Sequence, residues 1–232
     1  MIGILLDWQA QGSFSVHPHY AVGQRFFDAI WAAGGLPVGL PLVPEQAMAA
    51  LHHVHGVLVP GGDYPSPSSW YADPHGIESN HPRAQNSIAL LQEILRRDLP
   101  LLGICAGMQE LTVACGGHLH WRIAQHVGHS INHRLQNARS VAHPILLEAG
   151  SQLAGLIDTP TAEVNSEHNE GVADVGRAVV VARAPDGVIE AIEVPGQRFA
   201  MGVEWHPEFL LGPLDRAVMG ALVAAAKQTK LA

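Results

Sequence analysis

One nine-residue stretch constrains the fold more than any other, because it requires a strand followed at once by a helix. Residues 101–109 read LLGICAGMQ, an apolar run that breaks into small residues around a single cysteine. The arrangement Gly103-Ile-Cys105-Ala-Gly107 has the G-x-nucleophile-x-G form, in which flanking glycines make room for a strained residue on a sharp turn. It predicts that Cys105 lies above a sheet at a helix N-terminus, whose positive end stabilises a thiolate. The competing interpretation is a buried structural cysteine.

Apolar segments of strand length alternate with helical segments along the first half of the chain, which is typical of a doubly wound α/β domain. Strands are predicted near residues 1–6, 36–40, 55–60 and 100–104. Helices are predicted over 20–33, 82–97, 106–115 and 213–228, and the apolar face of the first is assigned to Tyr20, Phe27, Ile30 and Trp31. The second half is predicted to be β-rich over 141–147, 179–184, 188–194 and 199–204, with a hairpin turn at Pro185-Asp-Gly187. We therefore expect a mixed, mostly parallel sheet flanked by helices, in a single domain spanning residues 1–232.

Composition narrows the class of protein. A formal net charge of −8, with only 13 lysines and arginines among 232 residues, provides no basic surface of the kind that binds nucleic acid. No apolar run approaches the roughly 18 residues of a membrane span, and the initial MIGILLD lacks the basic segment and cleavage site of a signal peptide. The two cysteines, Cys105 and Cys115, flank one predicted helix, where a disulfide would be strained. We expect a cytoplasmic protein without nucleic-acid or membrane partners.

A second segment, about a hundred residues further on, supplies the partners that a reactive thiol needs. Residues 199–208 read FAMGVEWHPE and place His206 and Glu208 two positions apart. Side chains two apart on an extended chain point the same way, and Pro207 disfavours helix at His206, so we expect an extended pair. A thiol requires a base that takes its proton and returns it to the leaving group, and that base requires an anion to orient its ring. Cys105, His206 and Glu208 are therefore the predicted catalytic triad.

A third segment offers a site for the negatively charged intermediate. Residues 56–63 read GVLVPGGD, an apolar strand that runs into a glycine pair. Because Gly61 and Gly62 carry no Cβ atom, a backbone amide can come close to a reacting carbonyl group. We assign the two donors of an oxyanion hole to the N–H groups of Gly62 and of Ala106, the residue after the nucleophile. An ordinary strand-ending turn is the alternative for this segment taken alone.

These three motifs, in this order and spacing, resemble the signatures PGG, G-x-C-x-G-x-Q and W-H-P-E of the class I glutamine amidotransferase superfamily, which has a flavodoxin-like fold. Within that superfamily the chain is most similar to γ-glutamyl peptidases of the γ-glutamyl-γ-aminobutyrate hydrolase type. The similarity extends over nearly the whole chain. Its further segments are AGGLP at 33–37 with Leu40-Pro41, ACGGHL at 114–119, VNSEH at 164–168, APDGVIE at 184–190 and GVEWHPE at 202–208.

The resemblance also implies a set of substrate-binding residues. In such a site Gln109, one helical turn beyond the nucleophile, helps to hold the glutamyl group, with Gly61 beside it. Backbone groups of Glu167 and Asn169 contact the amino-acid end of the substrate, and His168 lines the glutamyl pocket in the family's Asn-Ser-x-His turn. The predicted reaction needs no cofactor and no metal ion.

The chain departs from the family pattern at three places. Ala106 stands where the family often has arginine, so the CAGMQ run is closer to glutamine-hydrolysing members. The helix before the elbow lacks the usual Asp-x-x-Arg-Asp-x-x-Glu pattern and keeps only Arg83. The family's His-His-Gln becomes His168-Asn169-Glu170, which changes the charge where the α-amino and α-carboxylate groups of the substrate are expected. We therefore expect a different preference for the amine or for the glutamyl side.

The 15 histidines raise the question of a metal site. Groups of histidines occur at 52–55 and 118–120, yet neither joins cysteines or carboxylates at the spacing of a zinc site. His126, His129 and His133 form the best candidate cluster. Solvated or internally hydrogen-bonded histidines are the preferred interpretation, so no metal site is expected.

The residues and the resemblance together favour a cysteine hydrolase that cleaves a small γ-glutamyl amine or peptide through a γ-glutamyl thioester. A glutaminase subunit that supplies ammonia to a synthase partner is the second hypothesis, and an inactive binding module is the third. The intact triad argues against the third. The first hypothesis requires only a small-molecule substrate and leaves a homodimer open. A loop at 63–82, with several proline and serine residues, either covers the site or forms a solvated connection.

Overall fold

Most of the chain is described by a computed structural model, which covers residues 1–64, 66–73, 79–127, 131–134 and 138–229. Its helices are α1 (Gln24–Ala32), α2 (Pro44–Ala50), α3 (Pro82–Arg96), α4 (Ala106–Ala114), α5 (Ala124–Val127) and α6 (Pro213–Lys227). Its strands are β1 (Ile2–Leu5), β2 (Asp7–Gln9), β3 (His19–Ala21), β4 (Pro37–Leu40), β5 (Gly56–Val59), β6 (Leu101–Ile104), β7 (His118–His120), β8 (His143–Leu147), β9 (Thr161–Val164), β10 (Gly171–Asp174), β11 (Val179–Arg183), β12 (Ile189–Glu193) and β13 (Ala200–Val203).

Nine of the described strands form one sheet in the order β4-β1-β5-β6-β13-β12-β11-β8-β9. The pairs from β4 to β13 are parallel, and those from β13 to β9 are antiparallel. Strands β1, β5, β6 and β13 are buried along their full length, as parallel strands are when helices cover both faces. The predicted mixed sheet, with its parallel part flanked by helices, is confirmed.

The helices bury apolar side chains on opposite faces of this sheet. α1 packs against α6 on one face, while α3 packs against both α2 and α4 on the other. The spacing of Leu214, Val218, Met219 and Leu222 places one apolar stripe along α6, and all four side chains are buried. The helix begins at Pro213, a favoured first position because proline presets the helical φ.

The register of the central strands brings three chain segments to one edge of the sheet. Ile104 at the end of β6 lies beside Val203 at the end of β13, and Val59 at the end of β5 lies beside Gly103. The segments that follow these parallel strands therefore emerge together at their carboxyl ends. This edge is where ligands bind in open α/β sheets.

The first predicted helix is wrong at its start and in part of its apolar face. α1 begins after Gly23, whose extended backbone ends the preceding segment, and β3 pairs antiparallel with β2 where the sequence indicated helix. Phe27 and Ile30 pack into the core as expected. Tyr20 is 38% exposed and Trp31 is 68% exposed, so neither belongs to the buried face. The helix was predicted from large apolar residues, but one of them, Tyr20, lies in the short hairpin of β2 and β3 instead.

The hairpin turn predicted at Pro185-Asp-Gly187 agrees with the structure. The turn between β11 and β12 is made by Gly187, which has a φ of 94° and donates its N–H to the Ala184 carbonyl at 2.9 Å. Cys105 and Cys115 are both free thiols. None of the described helices combines the length and the apolar character that crossing a membrane requires.

Candidate active site

Cys105 lies on a strained turn between β6 and α4. Its backbone φ is 51° and its ψ is −112°, and its N–H donates to the Val203 carbonyl at 2.8 Å. The two flanking glycines are required, because a Cβ on Gly107 would lie 2.1 Å from the Val59 carbonyl oxygen and one on Gly103 would lie 2.5 Å from the Gly107 oxygen. The sequence thus forms the elbow geometry that its glycine spacing predicts.

His206 is held from both its ring and its backbone. Its Nδ1 lies 2.8 Å from Oε1 of Glu208, which is buried behind it. Asn165 fixes the backbone, since its Oδ1 accepts from the His206 N–H at 2.8 Å and its Nδ2 donates to the His206 carbonyl at 3.0 Å. Burial lowers the pKa of the imidazole, but attraction to the Cys105 sulfur and to the Glu208 carboxylate outweighs burial and raises this pKa well above its usual range. The ring is therefore suited to hold a proton beside the thiolate.

The expected extended pair at 206–208 is wrong in its backbone. Residues Pro207–Phe209 form a 3-10 turn that His206 precedes with a φ of −108° and a ψ of 80°. Proline favours the first position of a helical turn because its φ is preset and its missing N–H is not needed there. The turn, rather than an extended chain, brings Glu208 to the ring of His206.

The glycine pair after β5 lies directly against Cys105 and His206. A Cβ on Gly61 would lie 3.0 Å from Cε1 of His206 and 3.6 Å from Cβ of Cys105. Neither the N–H of Gly62 nor that of Ala106 donates a hydrogen bond to any described residue. Both amides are thus available to an oxyanion, as their assigned role requires.

A buried ion pair between Arg83 and Glu110 holds the turn that contains the glycine pair. Arg83 in α3 is fully buried, and its NH1 donates to the Gly61 carbonyl at 3.1 Å while its NH2 donates to the Pro60 carbonyl. Its Nε donates to Oε1 of Glu110 in α4 at 2.8 Å, and the Tyr64 hydroxyl donates to the same carboxylate. Because the carbonyls of this turn are bound by Arg83, the turn is held in a fixed orientation.

A cavity of about 950 Å³ opens at this edge of the sheet. Gly61 and Glu208 are not among its lining residues, since one packs against the His206 ring and the other lies behind it. The predicted site residues that do line it are Gly62, Cys105, Ala106, Gln109, Glu167, His168, Asn169 and His206.

The residues predicted to bind substrate already have protein partners. Gln109 Nε2 donates to Glu204 Oε1 at 2.6 Å, and the Asn169 carbonyl accepts from the Ile123 N–H at 2.9 Å. Burial, reinforced by the negative charge of Cys105, raises the pKa of Glu204 well above its usual range. His168 directs Nδ1 at the Glu170 carbonyl, 2.9 Å away. Their contacts with substrate stay predictions.

Charged residues of both signs line the cavity beside these groups. Asp63, Glu167 and Glu170 are acidic, whereas Arg122 and Arg134 are basic. Neither arginine could be assigned a role from the sequence, because none of the motifs links the segments before and after α5 to the site.

The loop at 63–82 contributes one wall of the cavity where it is described. Tyr64 and Ser66 line the cavity, and the Ser66 hydroxyl donates to Glu170 Oε2 at 3.1 Å. Tyr71 donates to Oε1 of the same carboxylate at 2.7 Å. Residues 65 and 74–78 lie outside the described part, as does His129 of the histidine cluster considered from the sequence.

Comparisons with known proteins identify the family of the chain. The family model named Peptidase C26 matches residues 1–208. A γ-glutamyl-γ-aminobutyrate hydrolase of Escherichia coli is 33% identical over 209 residues, which cover 83% of this chain and 80% of that protein. A Mycobacterium tuberculosis protein that carries the name of a candidate glutamine amidotransferase is 38% identical over 208 residues, which cover 87% of this chain and 66% of that protein.

Solved structures share the fold at low sequence identity. A candidate GMP synthase protein from Thermoplasma acidophilum has a TM-score of 0.65 at 12% identity, and the match covers 98% of this chain and 94% of that chain. A glutamine amidotransferase from Methylobacillus flagellatus has a TM-score of 0.59 at 15% identity, with 90% and 70% covered. The family match and the identities above show that the chain belongs to the Peptidase C26 family of class I glutamine amidotransferase-like hydrolases, which act on C–N bonds.

Proposed function

We propose that this protein hydrolyses the γ-glutamyl amide bond of a small γ-glutamyl amine or peptide and releases glutamate and an amine. One observation supports this most strongly, the convergence of a nucleophile, a base and two donors at the mouth of one cavity. Cys105 is strained at a positive φ, His206 is oriented by Glu208, and the amides of Gly62 and Ala106 have no acceptor among the described residues.

The proposed reaction proceeds through a thioester. His206 takes the proton of the Cys105 thiol, the sulfur attacks the γ-carbonyl carbon, and the amides of Gly62 and Ala106 bind the resulting oxyanion. The C–N bond then breaks as His206 gives the proton to the leaving amine. Water attacks the thioester carbon while His206 takes a proton from it, the C–S bond breaks, and that proton returns to the sulfur as glutamate leaves.

The charges in the cavity support a glutamyl group as the acyl part of the substrate. A glutamyl group carries an α-ammonium and an α-carboxylate. The cavity offers the carboxylate of Glu167 for the first and the guanidinium groups of Arg122 and Arg134 for the second. Carboxylate recognition by arginine is strong because the guanidinium fork matches its geometry. The hydrolase from Escherichia coli, whose name includes a γ-glutamyl substrate, is consistent with the same acyl group.

The test is a panel of γ-glutamyl substrates given to the purified full chain. The panel contains γ-glutamyl-γ-aminobutyrate, several γ-glutamyl dipeptides and glutamine, with glutamate release as the readout. We expect turnover of at least one γ-glutamyl amine at roughly 1 per second or faster, as in ordinary enzymes. Trace turnover across the whole panel would contradict the proposal.

A glutaminase that delivers ammonia to a synthase is the second candidate. It is favoured by Ala106 and Met108 next to the nucleophile and by the name of the Mycobacterium tuberculosis relative. This candidate predicts that glutamine is the best substrate of the panel. It also predicts that glutamine turnover rises sharply when a synthase partner is added, whereas a stand-alone hydrolase gains nothing from the addition.

A further inference from the structure

A second group of polar side chains lies behind the cavity, away from the nucleophile. Three histidines surround one carboxylate oxygen, Oε1 of Glu190, and no side chain of the four is more than 4% exposed. The nitrogen-to-oxygen distances to Glu190 Oε1 are 3.3 Å from His133 Nδ1, 3.5 Å from His143 Nε2 and 3.7 Å from His168 Nε2. We call these four residues the histidine–glutamate cluster.

The second nitrogen of each ring has its own partner, and this partner fixes where the ring carries its proton. A carbonyl or carboxylate oxygen only accepts, so the ring nitrogen facing it must donate. In a neutral ring the other nitrogen is then a lone pair, and in all three rings that lone pair faces Glu190. The outer acceptors are Asp186 Oδ2 for His133 at 3.0 Å, the Pro144 carbonyl for His143 at 3.1 Å and the Glu170 carbonyl for His168 at 2.9 Å.

The inner atoms of the cluster lack hydrogen bonds. Among the described residues, His133 Nδ1, His143 Nε2, His168 Nε2 and both carboxylate oxygens of Glu190 are buried without a hydrogen-bond partner. Buried polar atoms are costly when unsatisfied, and lone pairs that face a carboxylate repel it. A positive charge between them removes both costs. Ring nitrogens that donate outward to oxygen while their lone pairs converge are the usual arrangement around a bound metal.

We propose that the histidine–glutamate cluster binds a transition-metal ion of the Zn²⁺ class. The ligand atoms of His133, His143 and Glu190 all lie within 4.8 Å of one another. His168 Nε2 lies 3.7 Å from Glu190 Oε1 but outside that group, so its ring would move toward the ion to supply a fourth ligand. Zinc bonds of about 2.0–2.1 Å in a tetrahedron place neighbouring ligand atoms about 3.3 Å apart. The observed spacings begin at 3.3 Å and need only small side-chain movements to close on an ion.

The donor set selects the class of ion. Three imidazoles and one carboxylate suit zinc and its neighbours, whereas magnesium and calcium prefer oxygen ligands. Protons on the rings are the competing explanation. A proton satisfies only one lone pair, however, so several imidazolium ions would have to crowd around one carboxylate oxygen, whereas one divalent ion satisfies all the lone pairs together.

The position of the cluster indicates a structural role. With His168 as the fourth ligand, a buried ion would have no open coordination position for substrate, as in structural metal sites. Its members come from the segment at 131–134, from β8, from the turn at 165–170 and from β12, so an ion there would join these segments. His133 and His168 also line the cavity. The ion would therefore stabilise the wall of the cavity and take no part in the proposed reaction.

Metal binding by the full chain tests the proposal directly. The purified protein is stripped with a chelator, dialysed against Zn²⁺ or Co²⁺, and then assayed for bound metal by elemental analysis. We expect about one equivalent of Zn²⁺, visible absorption of a tetrahedral Co²⁺ site, and a melting temperature that rises on loading. Stripped protein that binds neither ion, with an unchanged melting temperature, would overturn the proposal in favour of protons alone.

Variants locate the ion within the chain. His143→Gln and Glu190→Gln each remove one ligand at nearly constant volume, and both should lose most of the bound metal and the Co²⁺ absorption. His52→Gln, at an exposed histidine, is the matched control and should bind metal like the unchanged protein. Full metal retention in both cluster variants would place the ion elsewhere and contradict the proposal. If one variant fails to fold, the other and the unchanged protein still decide the outcome.

Discussion

Cys105 shows how a strained residue is kept in place by its neighbours. A non-glycine residue at a positive φ costs on the order of 1–3 kcal/mol, and it persists only where the surroundings fix it. Here its N–H is bound to Val203, and its carbonyl accepts from Met108 and Gln109 at 2.8 and 3.1 Å. The strain points the sulfur out of the sheet toward the cavity.

We predict that Cys105 is the only essential thiol. Cys105→Ala should lower kcat by several orders of magnitude, because no other group can form the covalent intermediate. Cys115→Ala should keep most activity, since Cys115 follows the end of α4 and burial raises its pKa, which keeps it a thiol. Steady-state kinetics of both variants on the best substrate is the measurement. Equal loss in two folded variants would contradict the assignment.

Glu208 is predicted to orient His206 rather than to exchange protons. Glu208→Gln keeps the shape of the side chain but removes the charge that stabilises the imidazolium, so kcat/KM should fall clearly. His206→Ala removes the base itself and should cost more, since positioned proton transfer contributes about 10²–10⁴-fold. Comparing kcat/KM of the two variants checks this order. A silent Glu208→Gln would mean that another residue orients the ring.

Residues whose chemistry lies within short motifs could be found from the sequence. Cys105, the glycine pair and the His-Pro-Glu run were singled out in this way, and the structure brings them to one edge. Asn165 was overlooked inside the Asn-Ser-x-His motif because its partner, His206, is 41 positions away. His133 and His168 were named from the sequence in other roles, but their grouping with His143 was not predicted, because only the fold joins these three residues.

At the scale of elements, the interface of α3 and α4 determines the position of the turn after β5. Arg83 of α3 binds two carbonyls of that turn, and Glu110 of α4 binds Arg83. Neither guanidinium nor carboxylate is exposed at all. The donors of the proposed oxyanion hole therefore depend on a contact between two helices that do not themselves touch substrate.

We predict that Glu110→Gln is strongly destabilising. It removes the close counter-charge of the buried Arg83 guanidinium and leaves only Asp7, whose Oδ2 lies 3.9 Å away. Breaking a buried pair on one side typically costs about 3–5 kcal/mol. Unfolding by urea gives the free energy of unfolding for comparison with Glu93→Gln. That control removes a carboxylate from surface ion pairs with Arg96 and Arg97, so it should change stability little. Equal stability of the two variants would contradict the role of the buried pair.

The long helices and the parallel strands of the main sheet were predicted well, whereas four short strands outside that sheet were not. α3 and α6 lie within a residue or two of their predicted bounds, because each carries a continuous apolar stripe and begins at a proline. The strands β2, β3, β7 and β10 have three or four residues each and form two small separate sheets. Strands β1, β5 and β6 are as short, but each is a continuous apolar run that is buried along its length. The four missed strands contain polar residues and are too short to show a clear alternation, and their partners are set by the fold.

At the scale of the whole molecule, Asp215 makes the free energy of unfolding depend on pH. It caps α6 by accepting from the Gly212 N–H at 3.0 Å, and it accepts from Trp205 Nε1 at 3.0 Å. Burial outweighs these hydrogen bonds and raises the pKa of Asp215 to about 6. Between about pH 4 and 6 the folded protein keeps a proton that the unfolded chain has lost, so this residue makes stability fall as the pH rises.

Asp215→Asn removes that contribution. From pH 4 to pH 7 the free energy of unfolding of the unchanged protein should fall, relative to that of the variant, by up to about 2–3 kcal/mol. Urea titrations at four or five pH values across this window measure the slope. Parallel pH profiles of the two proteins would show that Asp215 does not titrate as described.

The pairing of β6 with β13 also determines when the site can first exist. Cys105 depends on the Val203 carbonyl for its own backbone hydrogen bond, and His206 follows three residues after Val203. A ribosome that has released only the first half of the chain has therefore exposed Cys105 without His206, its proposed proton acceptor. Contacts this distant in sequence form late, because the long intervening loop must close first. We therefore expect the nascent protein to have no hydrolase activity until β13, the last strand of the sheet along the chain, is inserted between β6 and β12.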